Sequence, residues 1–413
     1  MIRTDVAIVG GGFSGTMVAA HLARHLDDAS SVTVFEPERL GCGAAYGTPH
    51  RQHLLNTRAR AMSAFDSDPD HFVRWLGPRV HPDDFVSRAL YGTYLNEIAQ
   101  RALERPRFAH VADSVRSISN DGSAFRIETE RGAAFEARLL VLATGTTLPS
   151  DDFLPPSVKN RPGYVRDPWH FDYGIVGGHV LLVGSGLTAL DALVALDASG
   201  HRGGVHVVSR HGRFPEVHEA TPLPYDVVPA LDPSSAGSLL RGFRTHAAVA
   251  QSRGFWWHAV VDALRPESEA LWRRLPPVER ARFDRHLRAR WQRVRHRAPQ
   301  AVDAARERYA SDGKLTVFAG TLIDSNGGDV AVRTRGGVVH RLRPDWIFNC
   351  TGIGRSQTFG FDANDCAENL WLTGALLRDQ RFESTAVPEL RKIAEQVASD
   401  VTRALRQTAM LTG

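Results

Sequence analysis

The residues best suited to chemistry sit in two short glycine-rich turns. The first is Val6-Ala-Ile-Val-Gly10-Gly-Gly12-Phe13-Ser14-Gly15, four apolar residues running into Gly10-x-Gly12-x-x-Gly15. The second is Val180-Leu-Leu-Val-Gly184-Ser-Gly186-Leu187-Thr188-Ala189, with alanine in the third glycine place. A strand, a glycine turn and a helix in that order aim backbone N–H groups at a dinucleotide pyrophosphate. The first glycine permits the tight turn, the second lets phosphate approach the backbone, and the third lets helix and strand pack closely. One such turn is weak evidence. Two in one chain imply two dinucleotides, or a duplicated fold with one site lost.

The strands that follow the two turns end in opposite charge. Ser31-Val-Thr-Val-Phe-Glu36 closes on an acid, whereas Val205-His-Val-Val208 runs into Ser209-Arg210-His211. From Gly10 to Glu36 is 26 positions, and from Gly184 to Arg210 is also 26, so the two residues are expected at equivalent places beside the adenosine ribose. An acid there accepts from two free ribose hydroxyls and repels a 2′-phosphate, which suits FAD. An arginine there, flanked by Ser209 and His211, donates charge-assisted hydrogen bonds to that phosphate, which suits NADPH.

Elements with recognisable periodicity hold these turns in place. Met17, Val18 and Leu22 follow the first turn at helical spacing, as Leu190, Leu193 and Leu196 follow the second. After Glu36 comes a long glycine-punctuated loop, through Gly41-Cys42-Gly43-Ala-Ala-Tyr46 and His53-Leu54-Leu-Asn56-Thr-Arg-Ala-Arg-Ala-Met62-Ser63-Ala-Phe65. A loop of this length in a compact domain usually wraps a ligand. Asn56, Met62, Ser63 and His53 are therefore the candidate catalytic residues, with His170 a further polar candidate. Tyr46 and Leu54 are candidate cofactor contacts. Residues 70–76 and 90–98 have helical spacing, and 107–136 alternate like an antiparallel meander.

Two apolar strands end alike, Leu139-Leu-Val-Leu-Ala-Thr144-Gly145 and Asp345-Trp-Ile-Phe-Asn-Cys350-Thr351-Gly352. The repeat predicts that the chain returns to its first domain at 345. Thr385, shortly before Pro388, opens a helix carrying Leu390, Ile393, Val397 and Val401, and Pro388 suits its first turn. Such a helix start offers backbone N–H groups to an electron-rich ring edge. The expected architecture is α/β with two Rossmann-like domains. One is a discontinuous FAD domain, formed by 1–150 and 345–413. The other is an NAD(P)H domain inserted at 151–344, itself interrupted by helices over about 211–300.

Composition bounds the function classes. With 413 residues, two domains are expected, and the apolar and charged fractions are those of a globular protein. No apolar run reaches membrane-spanning length, and the short N-terminal apolar run belongs to a strand, so the expected location is the cytoplasm. Three cysteines, Cys42, Cys350 and Cys366, include no C-x-x-C redox pair, and no His/Asp/Glu cluster has metal-ligand spacing. Only Lys159, Lys314 and Lys392 are lysines, so 47 of the 50 basic residues are arginine. A compositional bias explains that better than nucleic-acid binding. One cluster stands apart. Phe283, Leu287, Trp291 and Val294 predict an amphipathic helix whose other face carries eight arginines between Arg280 and Arg297. That face is either solvated or an anion funnel toward a nucleotide phosphate or a carboxylate substrate.

Together these pieces resemble the two-dinucleotide-domain flavoproteins, with FAD on the first unit and NAD(P)H on the second. More narrowly, Gly41-Cys-Gly43-Ala-Ala-Tyr46, the Leu54–Ser63 segment and Glu383-Ser-Thr-Ala-Val-Pro-Glu-Leu-Arg391 resemble a family of FAD/NAD(P)-binding proteins related to flavin-dependent N-hydroxylating monooxygenases. The order of the loop, the 70–76 helix, Phe85-Val-Ser-Arg88 and Tyr91–Leu95 is similar to the ornithine and lysine N-hydroxylases. The flavin-monooxygenase F-x-G-x-x-x-H fingerprint is approximated by Gly163-Tyr-Val-Arg-Asp-Pro-Trp-His170, and the segment from Gly352 to Leu370 is short for that family. The resemblance implies FAD and NADPH as cofactors. It implies hydride transfer from nicotinamide to flavin, then oxygenation of a small amine or amino acid by molecular oxygen. The alternative is transfer of electrons to another acceptor. It implies no nucleic-acid or membrane partner and leaves the oligomeric state open.

Overall fold

The computed structural model describes residues 1–220, 225–323, 329–361, 369–378, 380–383 and 385–412, the last five by backbone only. It divides into two compact units. Unit 1 comprises residues 1–150 and 353–413, and unit 2 comprises 151–352.

Unit 1 is built on a seven-stranded sheet. Its strands are β1 (Ile2–Val9), β2 (Val32–Phe35), β3 (Phe108–Val111), β4 (Val115–Asn120), β5 (Phe125–Thr129) and β6 (Ala134–Leu142). The order is β3-β2-β1-β6-β5-β4, and a late strand, Leu370–Leu372, also pairs with β6. β1, β2, β3, the end of β6 and the late strand run parallel. Much of β1, all of β2 and the end of β6 are buried on both faces, and their residues are accordingly mostly apolar. Val6, Ile8, Val32 and Leu140 are fully buried, as are Met17, Val18 and Leu22 of the helix Phe13–His25. The expected meander over 107–136 is only partly present. β4, β5 and the start of β6 are antiparallel, but β3 joins the parallel sheet beside β2, Phe108 opposite Val32. The helix Arg88–Leu103 ahead of β3 makes it the end of a crossover, which alternation alone does not reveal.

Unit 2 repeats the plan. β7 (Tyr164–Val165), β8 (Val180–Val183), β9 (Val205–Ser209), β10 (Leu315–Ile323), β11 (Val330–Thr334), β12 (Val339–Leu342) and β13 (Trp346–Asn349) form a sheet ordered β12-β11-β10-β9-β8-β13-β7. The helix Leu187–Ala198 follows β8, with Leu190, Leu193 and Leu196 fully buried. β10 is parallel to β9 over its first half and antiparallel to β11 over its second. The strand of unit 1 at Leu370–Leu372 is β14. β13 corrects the expected boundary at 345. It lies parallel between β8 and β7, so the segment through Gly352 completes unit 2.

Between β9 and β10 stand the helices Ala236–Ser252, His258–Ala263, Ser268–Arg274, Pro277–His286, Arg288–Arg295 and Gln300–Ser311. The single amphipathic helix expected around 283–294 is two helices, broken at Leu287 (φ −115°, ψ −29°). Phe283 still packs inward.

Candidate functional site

In unit 1 the three glycines of the first turn are glycine for different reasons. Gly10 has φ +100°, and a Cβ on it would lie 2.2 Å from the Ala143 carbonyl oxygen. A Cβ on Gly15 would lie 1.9 Å from the Gly10 oxygen. The fold itself demands both. Gly12 has φ −67° and ψ −161°, open to any residue, and its Cβ would meet Gly43 Cα at an ordinary 3.5 Å. Nothing among the described residues requires glycine at 12, and its bare Cα leaves the backbone there open to close approach. The helix beginning at Phe13, with Ser14 buried beside it, has no side-chain cap and no acid in its first turn. Its free N–H groups are disposed for phosphate.

Glu36 sits where the expected ribose contact should be. Its Oε2 accepts from the Gly11 N–H at 2.7 Å, and Oε1 from the Glu38 N–H at 3.3 Å. Its backbone N–H donates to Val111 O at 3.1 Å, and His110 Nε2 bonds its carbonyl at 2.8 Å. The carboxylate is fixed in place yet keeps lone pairs for two ribose hydroxyls. Thr144 donates its hydroxyl to Gln357 O at 2.7 Å, and Gly145 (φ +66°) has open space where a Cβ would be.

The structure adds Thr373 and Gly374, at the end of β14, which sequence reasoning left out. Thr373 Oγ1 is fully buried and has no hydrogen-bond partner among the described residues, an arrangement costing about 1–3 kcal/mol unless something pairs with it. Gly374 has φ +67°, and a Cβ there would lie 2.6 Å from Ser14 Oγ. The orphaned hydroxyl and the crowded glycine stand at the same helix start as Gly12, so the residues present fit a bound dinucleotide. The available signal was the strand-to-Thr-Gly ending, a third copy of the 144–145 pattern.

The loop from Gly41 to Phe65 is wired rather than free. Leu54 bridges Ser87, Leu55 N–H donates to Val86 O at 2.8 Å, and Tyr46 packs edge-on against Tyr91 at 4.8 Å. Burial pushes the Tyr46 phenol up to about 12. The expected catalytic group divides here. His53 is fully buried with Nδ1 3.0 Å from Thr48 Oγ1. Met62 is a core side chain at 3% exposure. Ser63 is fully buried, its hydroxyl closing its own turn onto Phe65 O (3.0 Å) and Asp68 O (2.6 Å). Buried and committed to the loop, these three shape the wall. Asn56, half-buried, is the member with exposed surface. Arg391 of the C-terminal helix Val387–Thr412 fastens the same loop, donating to Asp66 (2.9 Å) and to Ser63 O (3.2 Å). Thr385 is exposed just ahead of that helix, and Ser384 lies outside the described residues.

Unit 2 has the same turn. Gly184 (φ +107°) would bring a Cβ 2.3 Å from Cys350 O. Gly186 caps the next helix at φ −82°, ψ −165°, with no side-chain cap and nothing within 4 Å of a Cβ. Leu187 and Thr188 begin that helix, half-buried. Ala143 and Cys350 thus oppose the two turns in the same way. Thr351-Gly352 is therefore unit 2's own copy of Thr144-Gly145, not a return to unit 1. The Thr351 hydroxyl donates to Asn349 Oδ1 at 2.6 Å, and Gly352 has φ +108°.

Strand register corrects the expected equivalence of Glu36 and Arg210. Gly10 N–H donates to Phe35 O, whereas Gly184 N–H donates to Val208 O, so Ser209 stands where Glu36 stands. Ser185 takes the place of Gly11, and its Oγ lies 2.8 Å from Ser209 Oγ. Arg210 is the next residue, exposed. A small neutral side chain thus replaces the acid and an arginine adjoins it. His170 pairs with Asp167 at 2.8 Å, half-exposed. Among the described residues no cluster of three or more His, Cys, Asp or Glu could hold a metal ion, and no helix is long and apolar enough to cross a membrane.

Comparison with known proteins agrees with this geometry. Residues 7–147 match the family model described as FAD-NAD(P)-binding. Among solved structures, ornithine hydroxylase from Pseudomonas aeruginosa, in its reduced form, is similar at TM-score 0.62 and 14% identity, over 98% of this chain and 100% of that one. A flavin-containing monooxygenase from Stenotrophomonas maltophilia gives 0.54 and 16%, over 98% and 99%. Bacillithiol disulfide reductase from Bacillus cereus gives 0.56 and 16%, over 97% and 99%. Residues 7–147 thus resemble an FAD/NAD(P)-binding domain, and the chain has the fold of the two-dinucleotide-domain flavoproteins.

Proposed function

We propose that the protein is an NADPH-dependent flavin monooxygenase that N-oxygenates a small amine or amino acid, acting in the cytoplasm. FAD is assigned to unit 1 and NADPH to unit 2. The observation that carries the assignment is the contrast at the strand ends, Glu36 fixed on Gly11 in one unit and Ser209-Arg210 in the other. FAD supplies hydride acceptance and oxygen chemistry when bound. The chain supplies the rest. The Gly12 and Gly186 helix starts would hold the phosphates, Glu36 would orient a ribose, and Asn56, with exposed surface, would be the polar contact for the ring. The wired 41–65 loop, with its buried His53, Met62 and Ser63, excludes water.

The alternative reading, electron transfer to another acceptor, takes support from the disulfide-reductase likeness. The described cysteines argue against a thiol route. Cys350 is 2% exposed with its thiol pushed up by burial, and burial also raises that of Cys42. A raised thiol is a poor nucleophile at neutral pH. The test is to supply FAD-loaded protein with NADPH, oxygen and a panel of diamines and ω-amino acids, measuring hydroxylamine and hydrogen peroxide together. Hydroxylamine matching NADPH consumed, with one amine class, is the expected result. Peroxide accounting for all NADPH with every amine, alongside rapid reduction of a quinone, overturns the oxygenase reading.

A further inference from the structure

The arginine-rich helices of unit 2 resolve into two populations. Four of their guanidiniums are neutralised locally: Arg282 by Glu279 (2.5 Å), Arg288 by Asp284 (2.7 Å), Arg293 by Glu216 (3.0 Å) and Arg297 by Asp262 (2.5 Å). Arg290 is different, exposed and with no ion pair or hydrogen bond among the described residues.

Three separate segments place cations around the end of β9. Gly212 (φ +60°) turns the chain over β10, where its Cβ would lie 3.2 Å from Ala319. Arg335, in the turn between β11 and β12, donates its backbone N–H to the same Ala319 at 2.9 Å. Arg213 O lies 2.7 Å from Ser185 Oγ, so its backbone rests on the second glycine turn. The helix Arg288–Arg295 is tied to this region through Glu216, whose N–H donates to Arg293 O at 3.1 Å. Arg290 lies one turn earlier on that face. His211, in the middle, has its protonation disfavoured by desolvation and then by Arg335, Arg210, Arg213 and Arg290. Arg210, Arg213 and Arg335 likewise have no ion pair among the described residues. Four guanidiniums without a counter-charge describe an anion site.

We propose that Arg290, from the helical insertion, and Arg335, from the β11–β12 turn, join Arg210 in binding a phosphate monoester dianion, the 2′-phosphate of the nucleotide held by unit 2. This rests on the NADPH reading and adds that the insertion takes part in nucleotide selection. The probes are adenosine 2′,5′-bisphosphate, 5′-AMP and inorganic phosphate, titrated calorimetrically into FAD-loaded protein. The wild type should bind the bisphosphate at least about 10-fold tighter than 5′-AMP. Arg290→Ala and Arg335→Ala should each lower that ratio about 3- to 10-fold, leave 5′-AMP affinity unchanged and flatten the salt dependence. Arg290→Lys should recover part of the ratio. Both alanine variants keeping the wild-type ratio while Arg210→Ala loses it would overturn the inference and leave NADPH selection standing. A wild type indifferent between bisphosphate and 5′-AMP would remove the NADPH reading itself. Inorganic phosphate binding as tightly as the bisphosphate would make this a free-anion site and overturn the nucleotide assignment.

Discussion

The two units solve the same problem with nearly the same backbone and opposite chemistry. Gly10 and Gly184 both press a carbonyl, of Ala143 and Cys350 respectively, and both carry strongly positive φ. Gly12 and Gly186 both lie in open, ordinary backbone at a helix start. The units diverge at the residue between these glycines and at the strand end that faces it. Gly11 has no room for a side chain, since a Cβ would lie 2.7 Å from Glu36 Cβ, whereas Ser185 carries a hydroxyl because Ser209 leaves space. On the proposed reading, the backbone sets where phosphate goes, and the pair facing it across the sheet end sets which ribose is accepted.

That comparison can be broken most completely at the second glycine of each turn. Gly12→Val should lose essentially all FAD while the protein still melts cooperatively near the wild-type temperature, because its φ and surroundings admit a side chain. Gly186→Val should stay yellow but lose NADPH binding. A yellow Gly12→Val protein, read by flavin absorbance after gel filtration, would remove FAD from unit 1. Gly10→Ala should behave differently, destabilising the fold by about 2–4 kcal/mol through backbone strain and a clash, which denaturant titration would show.

Smaller effects sharpen the contrast at the strand ends. Ser209→Glu rebuilds the acid of unit 1 in unit 2 and should cut the NADPH-to-NADH efficiency ratio about 10- to 150-fold in flavin-reduction assays. Arg210→Ala should lower the same ratio by about 10-fold, less because Arg210 is exposed. An unchanged ratio in both would detach specificity from this strand end.

The smallest expected effect concerns acid. His21, buried on the first unit's turn helix against Phe65 at 5.7 Å, is held down to about 4 by desolvation first, then by Arg24 and His25. Counting from the two turns, its partner in unit 2 is Ala195, also buried. A histidine with a lowered folded pKa binds fewer protons than the unfolded chain between pH 6.5 and about 4, so its contribution is complete above 6.5 and falls through that window. The loss from pH 7 to 5.5 should be about 1 kcal/mol. His21→Leu should flatten that slope in chemical-denaturation curves. An equal slope would place the acid sensitivity elsewhere.

Much of this was legible in the residues. The glycine turns, the buried helix faces and the paired strands follow from local patterns, each enforced by a local steric rule. What escaped needed register or partner choice. Equal spacing put Arg210 opposite Glu36, but spacing does not count how the chain between helix and strand is used, and the hydrogen bonds of Gly10 and Gly184 differ by one residue. The Thr351-Gly352 repeat was real, yet only the pairing of β13 shows which sheet it serves. Polar residues in the 53–63 segment suggested chemistry. Burial of His53 and Ser63 and the anchoring by Arg391, over three hundred positions away, could not be read locally.

That distance has a consequence for synthesis. Unit 2 is contiguous, so its sheet can close as soon as β13 leaves the ribosome. Unit 1 must wait for β14 to line β6 and for the last helix to cover the one at Phe13–His25. Until then the side of that helix turned to the last helix is uncovered, and residues made early in unit 1 are sheltered late. Released chains truncated near residue 360 should therefore bear a protease-resistant second half and a first half that chaperones hold.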